Sequence, residues 1–253
     1  MRSDWLRSLG LLAILLAGAA QLQAQDPAER PDRVLPGHTR FDLARPDIVA
    51  FVDRLSGQGF ERKALFTLLA KAEPQPKIIE AMTRPAEKTL AWWEYRAHFI
   101  DSERIDAGAR LWREHRELLD AIAMELHVQP EYVLGIIGVE TYFGRITGRY
   151  RVLDALATLA FDYPARAEFF QRELEQFLRL AQSGELDPRT TLGSYAGAMG
   201  AAQFMPSSFQ NFAVDESGTG HRNLWTDWAD IFGSVANYLQ QHGWEYGQPC
   251  CCR

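Results

Sequence analysis

A carboxylate at the end of an apolar helical stripe is the group in this chain best suited to acid–base chemistry. Val133, Ile136 and Ile137 precede Glu140 by seven, four and three residues. Because those intervals share one face of a helix, we expect the carboxyl to point the way the core-facing side chains point. Apolar neighbours remove water from the charged form and raise the pKa of a carboxyl. Glu140 is therefore a candidate general acid that keeps its proton near neutral pH.

Two glycines follow this candidate acid. Gly144 and Gly148 are expected to end the helix and to let the backbone turn sharply beside the carboxyl. The competing interpretation, which helical spacing alone leaves open, is an ordinary glutamate that faces solvent at a helix end.

A second unusual segment covers residues 194–208 and is rich in small side chains between Ala196 and Ala202. Small residues leave the backbone unshielded, so another helix or a ligand can approach it closely. Ser194 and Gln203 are the polar groups at the two ends of that stretch, and both can hydrogen-bond an amide or a carboxyl. Tight helix packing is the alternative explanation for the small residues.

The elements that must position these residues are helical. Pro46 is expected to open a helix whose apolar face consists of Ile48, Phe51, Val52 and Leu55. One long helix is predicted over residues 102–127, with Ile105 among its inner positions, and the Glu140 helix begins near Pro130. Alternation over five or more residues is scarce, which indicates little β structure. The sequence thus predicts a mainly α, multi-helix globular domain.

The N-terminal segment has the features of a secretory signal peptide over residues 1–24. Arg2 and Arg7 flank the start of an apolar run that is too short to span a bilayer, and a cleavage site follows the run. No cysteine comes after it, so the sequence offers no lipobox for a lipid anchor; an uncleaved signal anchor is the alternative. We expect residues 25–38 to form a flexible leader of a protein exported to the periplasm. No other segment is long and apolar enough to make this an integral membrane protein.

Charge and cysteine usage narrow the class of protein further. The net charge of −6, without a basic stripe, argues against a nucleic-acid partner. Residues 25–249 contain no cysteine, so the fold is expected to use no disulfide. All three cysteines lie in an irregular tail, residues 249–253, which has no metal-site spacing and resembles the end of an interrupted reading frame. We expect one domain over residues 39–248.

Five blocks of sequence occur in an order that resembles one enzyme family. They are Gly-Val-Glu-Thr at 138–141 with Gly144 and Gly148, Asp-Tyr-Pro at 162–164 with Arg166, Ser-Tyr-Ala-Gly-Ala-Met-Gly at 194–200, Gln-Phe-Met-Pro-Ser-Ser at 203–208 and Gly-Ser-Val-Ala-Asn-Tyr at 233–238. Over about residues 39–244 the chain is similar to the B-type lytic murein transglycosylases, glycoside hydrolase family 103 of the lysozyme-like superfamily. Five such blocks in register are not expected by chance.

The resemblance implies a lysozyme-like α domain that cleaves peptidoglycan between N-acetylmuramic acid and N-acetylglucosamine and leaves a 1,6-anhydromuramyl end. Glu140 maps onto the family's acid, which protonates the glycosidic oxygen and then takes the proton of the muramyl 6-hydroxyl as that oxygen closes on C1. It also implies that no cofactor is required and that glycan strands are the partner; we expect a monomer. The residues that the resemblance implies as substrate contacts are Ser194, Gln203, Tyr95, Tyr238 and Arg166. Family members can have two arginines after the Tyr-Pro pair, whereas this chain has only Arg166 there. Tyr142, beside the acid, is a further candidate for stacking on a sugar ring.

A single carboxylate is consistent with this chemistry. Ordinary glycosidases need two carboxylates, one as acid and one as nucleophile or base, whereas in an intramolecular attack the substrate supplies the nucleophile. A lysozyme-type hydrolase is one alternative, which would need Asp154 or Asp162 as its second group. The other is a peptidoglycan-binding protein with impaired catalysis, because the chain stops soon after Trp244, where family members continue with further helices that complete the groove.

The segment that begins at Asp215 resembles the start of an EF-hand calcium loop. Hard cations need oxygen ligands at alternating positions and a glycine at the sixth, which is Gly220. The candidate ligands are Asp215, Ser217, Thr219, His221 and Asp230. Because Thr219 and Thr226 stand where acidic residues are usual, we expect any calcium binding to be weak. A polar turn closed by hydrogen bonds of Asp215 is the alternative.

Overall fold

The computed structural model describes residues 39–83 and 91–248. In that part of the chain the helices are α1 (Pro46–Ser56), α2 (Arg62–Leu69), α3 (Pro76–Thr83), α4 (Trp92–Ala97), α5 (Ser102–Glu114), α6 (Arg116–Leu126), α7 (Pro130–Thr141), α8 (Val152–Asp162), α9 (Ala167–Gln182), α10 (Pro206–Phe212) and α11 (Trp228–Gln241). A 3₁₀ turn, Pro164–Arg166, joins α8 to α9. Two short strands, β1 (Tyr150–Arg151) and β2 (Leu192–Gly193), pair antiparallel. The prediction of a mainly α fold with little β structure is confirmed.

The first helix forms as its sequence pattern predicts. Pro46 lies in the first turn of α1, where a missing N–H leaves no hydrogen bond unmade. Ile48, Phe51, Val52 and Leu55 are all buried, because their spacing brings them to one face of the helix.

The centre of the domain is α8. Every residue from Val152 to Phe161 is buried, since α3, α9 and β1 pack around this helix. Its buried polar side chains are hydrogen-bonded: Asp154 accepts the N–H of Glu73 at 2.9 Å, and Thr158 accepts the N–H of Gln75 at 3.0 Å. These bonds hold the connection between α2 and α3 against the central helix.

The prediction of a single helix over residues 102–127 is wrong, because two helices, α5 and α6, occupy that range. They meet at His115, where the backbone leaves the helical region with φ −118° and ψ 25°. The His115 ring packs against Trp228 and Phe232 of α11 at centroid distances of 5.9 and 5.7 Å. The break separates two packing partners, since α5 lies against α7 and α6 lies against α11.

The inward position predicted for Ile105 is also wrong. This side chain is 59% exposed, whereas Ala107 and Leu111 of the same helix are buried. Ala107 follows Ile105 by two residues, which places the two side chains on different faces of a helix. The packing of α5 on α7 therefore selects the face that contains Ala107 and Leu111.

Several sequence predictions lie outside the described residues. They concern the signal peptide over residues 1–24, the leader over residues 25–38 and the tail over residues 249–253. Within residues 39–83 and 91–248, no helix is both long and apolar enough to cross a membrane.

Candidate active site

Glu140 is the penultimate residue of α7. The helix has Pro130 in its first turn and buries Val133 and Ile137 in the core. Burial raises the pKa of the Glu140 carboxyl to about 7. Desolvation is the cause, and no hydrogen bond or ion pair from the described residues reaches this carboxyl. A carboxyl with that pKa and no such partner can both donate and accept a proton near neutral pH.

The turn after Glu140 differs from the one predicted. Instead of a helix ended by Gly144 and Gly148, two non-glycine residues take the left-handed conformation first, Tyr142 with φ 53° and Phe143 with φ 57°. Gly144 continues that turn with φ 77°. Left-handed backbone is costly for residues with a Cβ and is found mainly where the surrounding structure holds it in place, often at functional sites.

Thr141, next to the candidate acid, ties the end of α7 to the small-residue segment. Its buried hydroxyl donates to the carbonyl of Ala201 at 2.7 Å and accepts the N–H of Gly144 at 2.9 Å. No motif in the sequence assigns this residue a role of its own. Its spacing of four from Ile137 was the available signal, because it places a hydroxyl on the buried face of the helix.

Ser194 and Gln203 both lie in this segment and use part of their hydrogen-bonding capacity within it. The hydroxyl of Ser194 accepts the N–H of Ala198 at 3.0 Å and that of Ala196 at 3.3 Å. Because a hydroxyl that accepts N–H groups still has its proton, Ser194 can donate to a ligand. The side-chain amide of Gln203 donates to the carbonyls of Thr147 and Gly200 at 3.1 and 2.9 Å, which leaves its carbonyl oxygen as the group that can accept.

A close backbone contact holds this segment beside the turn that follows Glu140. A Cβ built on Gly148 would lie 2.0 Å from the carbonyl carbon and oxygen of Gly193 and 2.5 Å from the nitrogen of Ser194. The pairing of Tyr150 with Gly193 continues that contact. The structure therefore brings together Ser194, Gln203 and the turn after α7, as a shared site requires.

Tyr142 and Tyr95 belong to one line of aromatic and guanidinium groups. The guanidinium carbons of Arg104 and Arg145 lie 4.8 and 4.6 Å from the centroid of the Tyr142 ring. Arg104 also lies 5.9 Å from the ring of Phe99, and that ring is 5.1 Å from Tyr95. Tyr95 is 37% exposed. Both tyrosines are thus connected to the end of the Glu140 helix, through contacts that the sequence did not reveal.

The remaining predicted contacts, Tyr238 and Arg166, occupy different surroundings. Tyr238 is buried against Phe204 and Phe212, and its ring stacks on His242 at 4.0 Å, so burial raises the pKa of its hydroxyl. Its ring packs in the core and contacts Phe204, the residue that follows Gln203. The Arg166 guanidinium lies over the Phe169 ring at 4.3 Å, and among the described residues it forms no hydrogen bond or ion pair with Glu140 or Ser194. For both residues, substrate contact stays a prediction.

The two carboxylates considered as a second catalytic group are engaged elsewhere. Asp154 is buried and accepts two hydrogen bonds from Arg151, at 2.7 and 2.8 Å. Asp162 forms an ion pair with Arg45 at 2.5 Å. Both side chains therefore stabilise the fold, which leaves the hydrolase interpretation without an available second carboxylate from this pair.

The loop that begins at Asp215 is closed by its own hydrogen bonds. Asp215 accepts the N–H groups of Thr219 and Gly220 at 2.9 and 2.7 Å, and the bond from Gly220 holds the pKa of Asp215 below its usual value. The buried carboxylate of Asp230 accepts the N–H of Ser217 at 3.1 Å. No group of three or more acidic, histidine or cysteine side chains in the described ranges could hold a metal. With two carboxylates already accepting backbone N–H groups, the loop fits calcium poorly.

Comparison with known proteins defines the class to which this fold and site belong. Residues 44–253 match the family described as Transglycosylase SLT domain, and the chain belongs to that family. Among individual proteins, it is 43% identical to the membrane-bound lytic murein transglycosylase B of Escherichia coli (strain K12) over 212 residues. That alignment covers 80% of this chain and 58% of the relative. The chain therefore spans less than two thirds of the length of this relative.

Solved structures support the same class. The soluble lytic transglycosylase SltB1 from Pseudomonas aeruginosa matches with a TM-score of 0.79 and 49% identity, over 81% of this chain and 69% of that one. SltB3 from the same organism, in complex with NAG-NAM-pentapeptide, matches with a TM-score of 0.74 and 33% identity, over 79% and 54%. Escherichia coli Slt35, in complex with calcium, matches with a TM-score of 0.77 and 43% identity, over 83% and 68%. The predicted family and its lysozyme-like fold are confirmed.

Proposed function

We propose that this protein is a peptidoglycan lytic transglycosylase, which cleaves the β-1,4 bond between N-acetylmuramic acid and N-acetylglucosamine and forms 1,6-anhydromuramyl ends. The observation that carries the proposal is Glu140, a desolvated carboxyl with a pKa of about 7 and no hydrogen-bond partner among the described residues. Family membership and the similarity to lytic transglycosylases support it.

In the proposed mechanism Glu140 acts twice. The protonated carboxyl donates its proton to the glycosidic oxygen, and the bond from that oxygen to C1 of the muramyl residue breaks. The resulting carboxylate then accepts the proton of the muramyl 6-hydroxyl while that oxygen bonds to C1. Glu140 ends the cycle protonated, and no water is consumed. Because the nucleophile belongs to the same sugar as C1, proximity replaces the second carboxylate of hydrolytic glycosidases.

The other polar groups of the site are proposed to hold the glycan strand. Ser194 can donate its hydroxyl proton, and Gln203 can accept through its carbonyl oxygen, so the pair can bind an acetamido group or a hydroxyl of a sugar. The partly exposed Tyr95 offers an aromatic face on which a sugar ring can stack, and Tyr142, beside Arg104 and Arg145, is proposed to contact the strand as well. Arg166 and Tyr238 complete the proposed set of contacts.

Digestion of purified murein sacculi tests the proposal directly. The products of residues 25–253 are separated by chromatography and identified by mass spectrometry. Muropeptides lighter by one water than hydrolytic products are expected. Reducing-ended products would indicate hydrolysis instead, and a folded protein that binds saccharide without releasing soluble product would indicate a binding protein with impaired catalysis.

Turnover is expected to require the protonated form of Glu140. With the pKa of the carboxyl at about 7, kcat/KM should be near its maximum below about pH 6 and fall about tenfold per pH unit above about 8. The free energy of unfolding is also expected to fall as the pH rises. A carboxyl whose pKa is raised in the folded state makes its full contribution to stability below the ordinary glutamate pKa, and that contribution is lost as the pH rises through about 7. Thermal unfolding at each pH shows where the enzyme stays folded. A kcat/KM that rises between pH 6 and 8 would contradict the assignment.

Calcium is proposed to bind the loop at Asp215 weakly. One solved relative is in complex with calcium, but Thr219 supplies a neutral oxygen to a loop that closes through its own hydrogen bonds. With a Kd of about 1 mM or weaker, calcium at about 1 mM should raise the Tm by no more than about 2 °C. Thr219→Asp should raise that shift to at least about 3 °C, with magnesium as the control ion. Equal shifts in the two proteins would show that Thr219 does not limit binding.

Export to the periplasm is part of the proposal. It is supported by the signal-like sequence of residues 1–24 and by the substrate, since murein lies outside the cytoplasmic membrane. The Escherichia coli relative is named as membrane-bound.

A further inference from the structure

The ring of Phe143 lies against two positions that have no side chain, on two different helices. A Cβ built on Gly108 of α5 would lie 2.7 Å from the ring tip Cζ, and a Cβ built on Gly138 of α7 would lie at the same distance from that atom. We call this place, between Gly108 and Gly138, the glycine slot. Any larger residue at either position would have to displace the ring.

The glycine slot holds a strained turn. Phe143 and Tyr142 both adopt left-handed backbone with φ of 57° and 53°, a conformation that residues with a Cβ take only at a cost. Packing of the Phe143 ring between α5 and α7 offsets that cost, and the N–H of Phe143 closes the turn on the carbonyl of Ile137 at 3.2 Å. The ring therefore fixes the end of α7 against α5.

Glu140 lies in that last turn, two residues after Gly138 and three before Phe143. No hydrogen bond from the described residues holds the Glu140 carboxyl in place, so a shift of the backbone at the end of α7 would move the carboxyl with it. We propose that Phe143 is a positioning residue for Glu140, acting through the glycine slot at the end of α7. The expected effect on kcat rests on the proposed function, whereas the effect of Phe143 on the environment of the Glu140 carboxyl can be measured independently of it.

Gly138→Ala tests the inference, because the added methyl group meets the ring tip. We expect kcat to fall about 10- to 100-fold with KM changed less than about threefold, since a small displacement of a catalytic group lowers the rate more than it lowers binding. Gly135→Ala is the matched control on the same helix, because no atom lies within 4 Å of a Cβ built there. It should leave kcat unchanged and the Tm equal or higher.

Phe143→Leu provides a second variant that introduces no clash. It should lower kcat by itself, and adding Gly138→Ala should then cost little more, because the ring tip that meets the methyl group is gone. Such non-additivity identifies the ring and the slot as one unit. Additive losses, or a wild-type kcat in Phe143→Leu, would overturn the inference.

Titration of the Glu140 carboxyl by carbon-13 NMR separates this inference from the proposed function. The signal is assigned by its loss in Glu140→Gln. We expect its midpoint to move toward the ordinary glutamate value in Gly138→Ala and in Phe143→Leu, but not in Gly135→Ala. Unchanged midpoints in both slot variants would refute the inference even in an active enzyme. A wild-type protein that forms no anhydro product would refute the proposed function, while the titration would still decide whether the slot sets the environment of Glu140.

Discussion

Replacing Glu140 by Gln is expected to lower murein turnover by at least about 10³-fold while the protein remains folded and still binds saccharide. The amide occupies nearly the same volume as the carboxyl, so the packing at the end of α7 should be kept. It has no acidic proton to give to the glycosidic oxygen and cannot accept the proton of the muramyl 6-hydroxyl. Both steps are lost at once, because one residue performs them both. Turnover is measured by product mass spectrometry, and binding by titration with a chitooligosaccharide.

Glu131→Gln is the matched control for that change. Glu131 lies in the first turn of the same helix and is exposed, so its loss removes one favourable interaction with the helix dipole and nothing from the site. Its turnover should equal that of the wild type. If Glu140→Gln retained more than about a tenth of wild-type turnover, the single acid–base mechanism would be refuted.

The parts of the fold that depend on local periodicity could be predicted from the sequence. The buried face of α1 and the burial of Val133 and Ile137 follow from spacing along a single helix. Glu140 can be predicted in the same way. Desolvation by apolar neighbours raises its pKa, and some of those neighbours lie on the same face of its own helix. No long-range information was needed for these features.

Features that depend on contacts between distant segments could not be predicted. The break at His115 follows from packing against α11, more than 100 residues later in the chain. The left-handed turn at Tyr142 has no signal in its own residue types, because tyrosine normally avoids that conformation. The isolated glycines Gly108 and Gly138, inside helical patterns, were the available sign of a close approach.

At the site, residue types could be predicted from the sequence, but their hydrogen-bond partners could not. The sequence indicates Ser194 and Gln203 as the polar ends of a small-residue stretch, and the structure brings both beside the turn after α7. Which of their atoms remain available, the Ser194 proton and the Gln203 carbonyl oxygen, depends on bonds to Ala198 and Thr147 that only the folded chain reveals. Tyr238, which the family resemblance indicates as a substrate contact, packs in the core because α11 turns that face inward.

The second large effect is expected at Gly148, where Gly148→Ala should lower the free energy of unfolding by about 4 kcal/mol or more. The new Cβ would lie 2.0 Å from the carbonyl of Gly193, which is main chain and cannot rotate away. Relief requires β1 and β2 to separate, and their separation moves Ser194 away from the turn that follows Glu140. Stability is measured by urea unfolding, and the loss of activity in any folded fraction by release of anhydromuropeptides.

Gly184→Ala separates the clash from the strain of the backbone itself. Gly184 has φ 84° and Gly148 has φ 106°, so both variants force alanine into left-handed backbone, but no atom lies within 4 Å of a Cβ built on Gly184. The control should therefore lose only about 1 kcal/mol. A similar loss in both variants would mean that conformational strain, rather than the contact with Gly193, is what Gly148 relieves. Ser194 would then be held beside α7 by the hydrogen bond from Thr141 to Ala201 and by the hydrogen bonds of Gln203. The pairing of β1 with β2 would follow from that arrangement and would not be its cause.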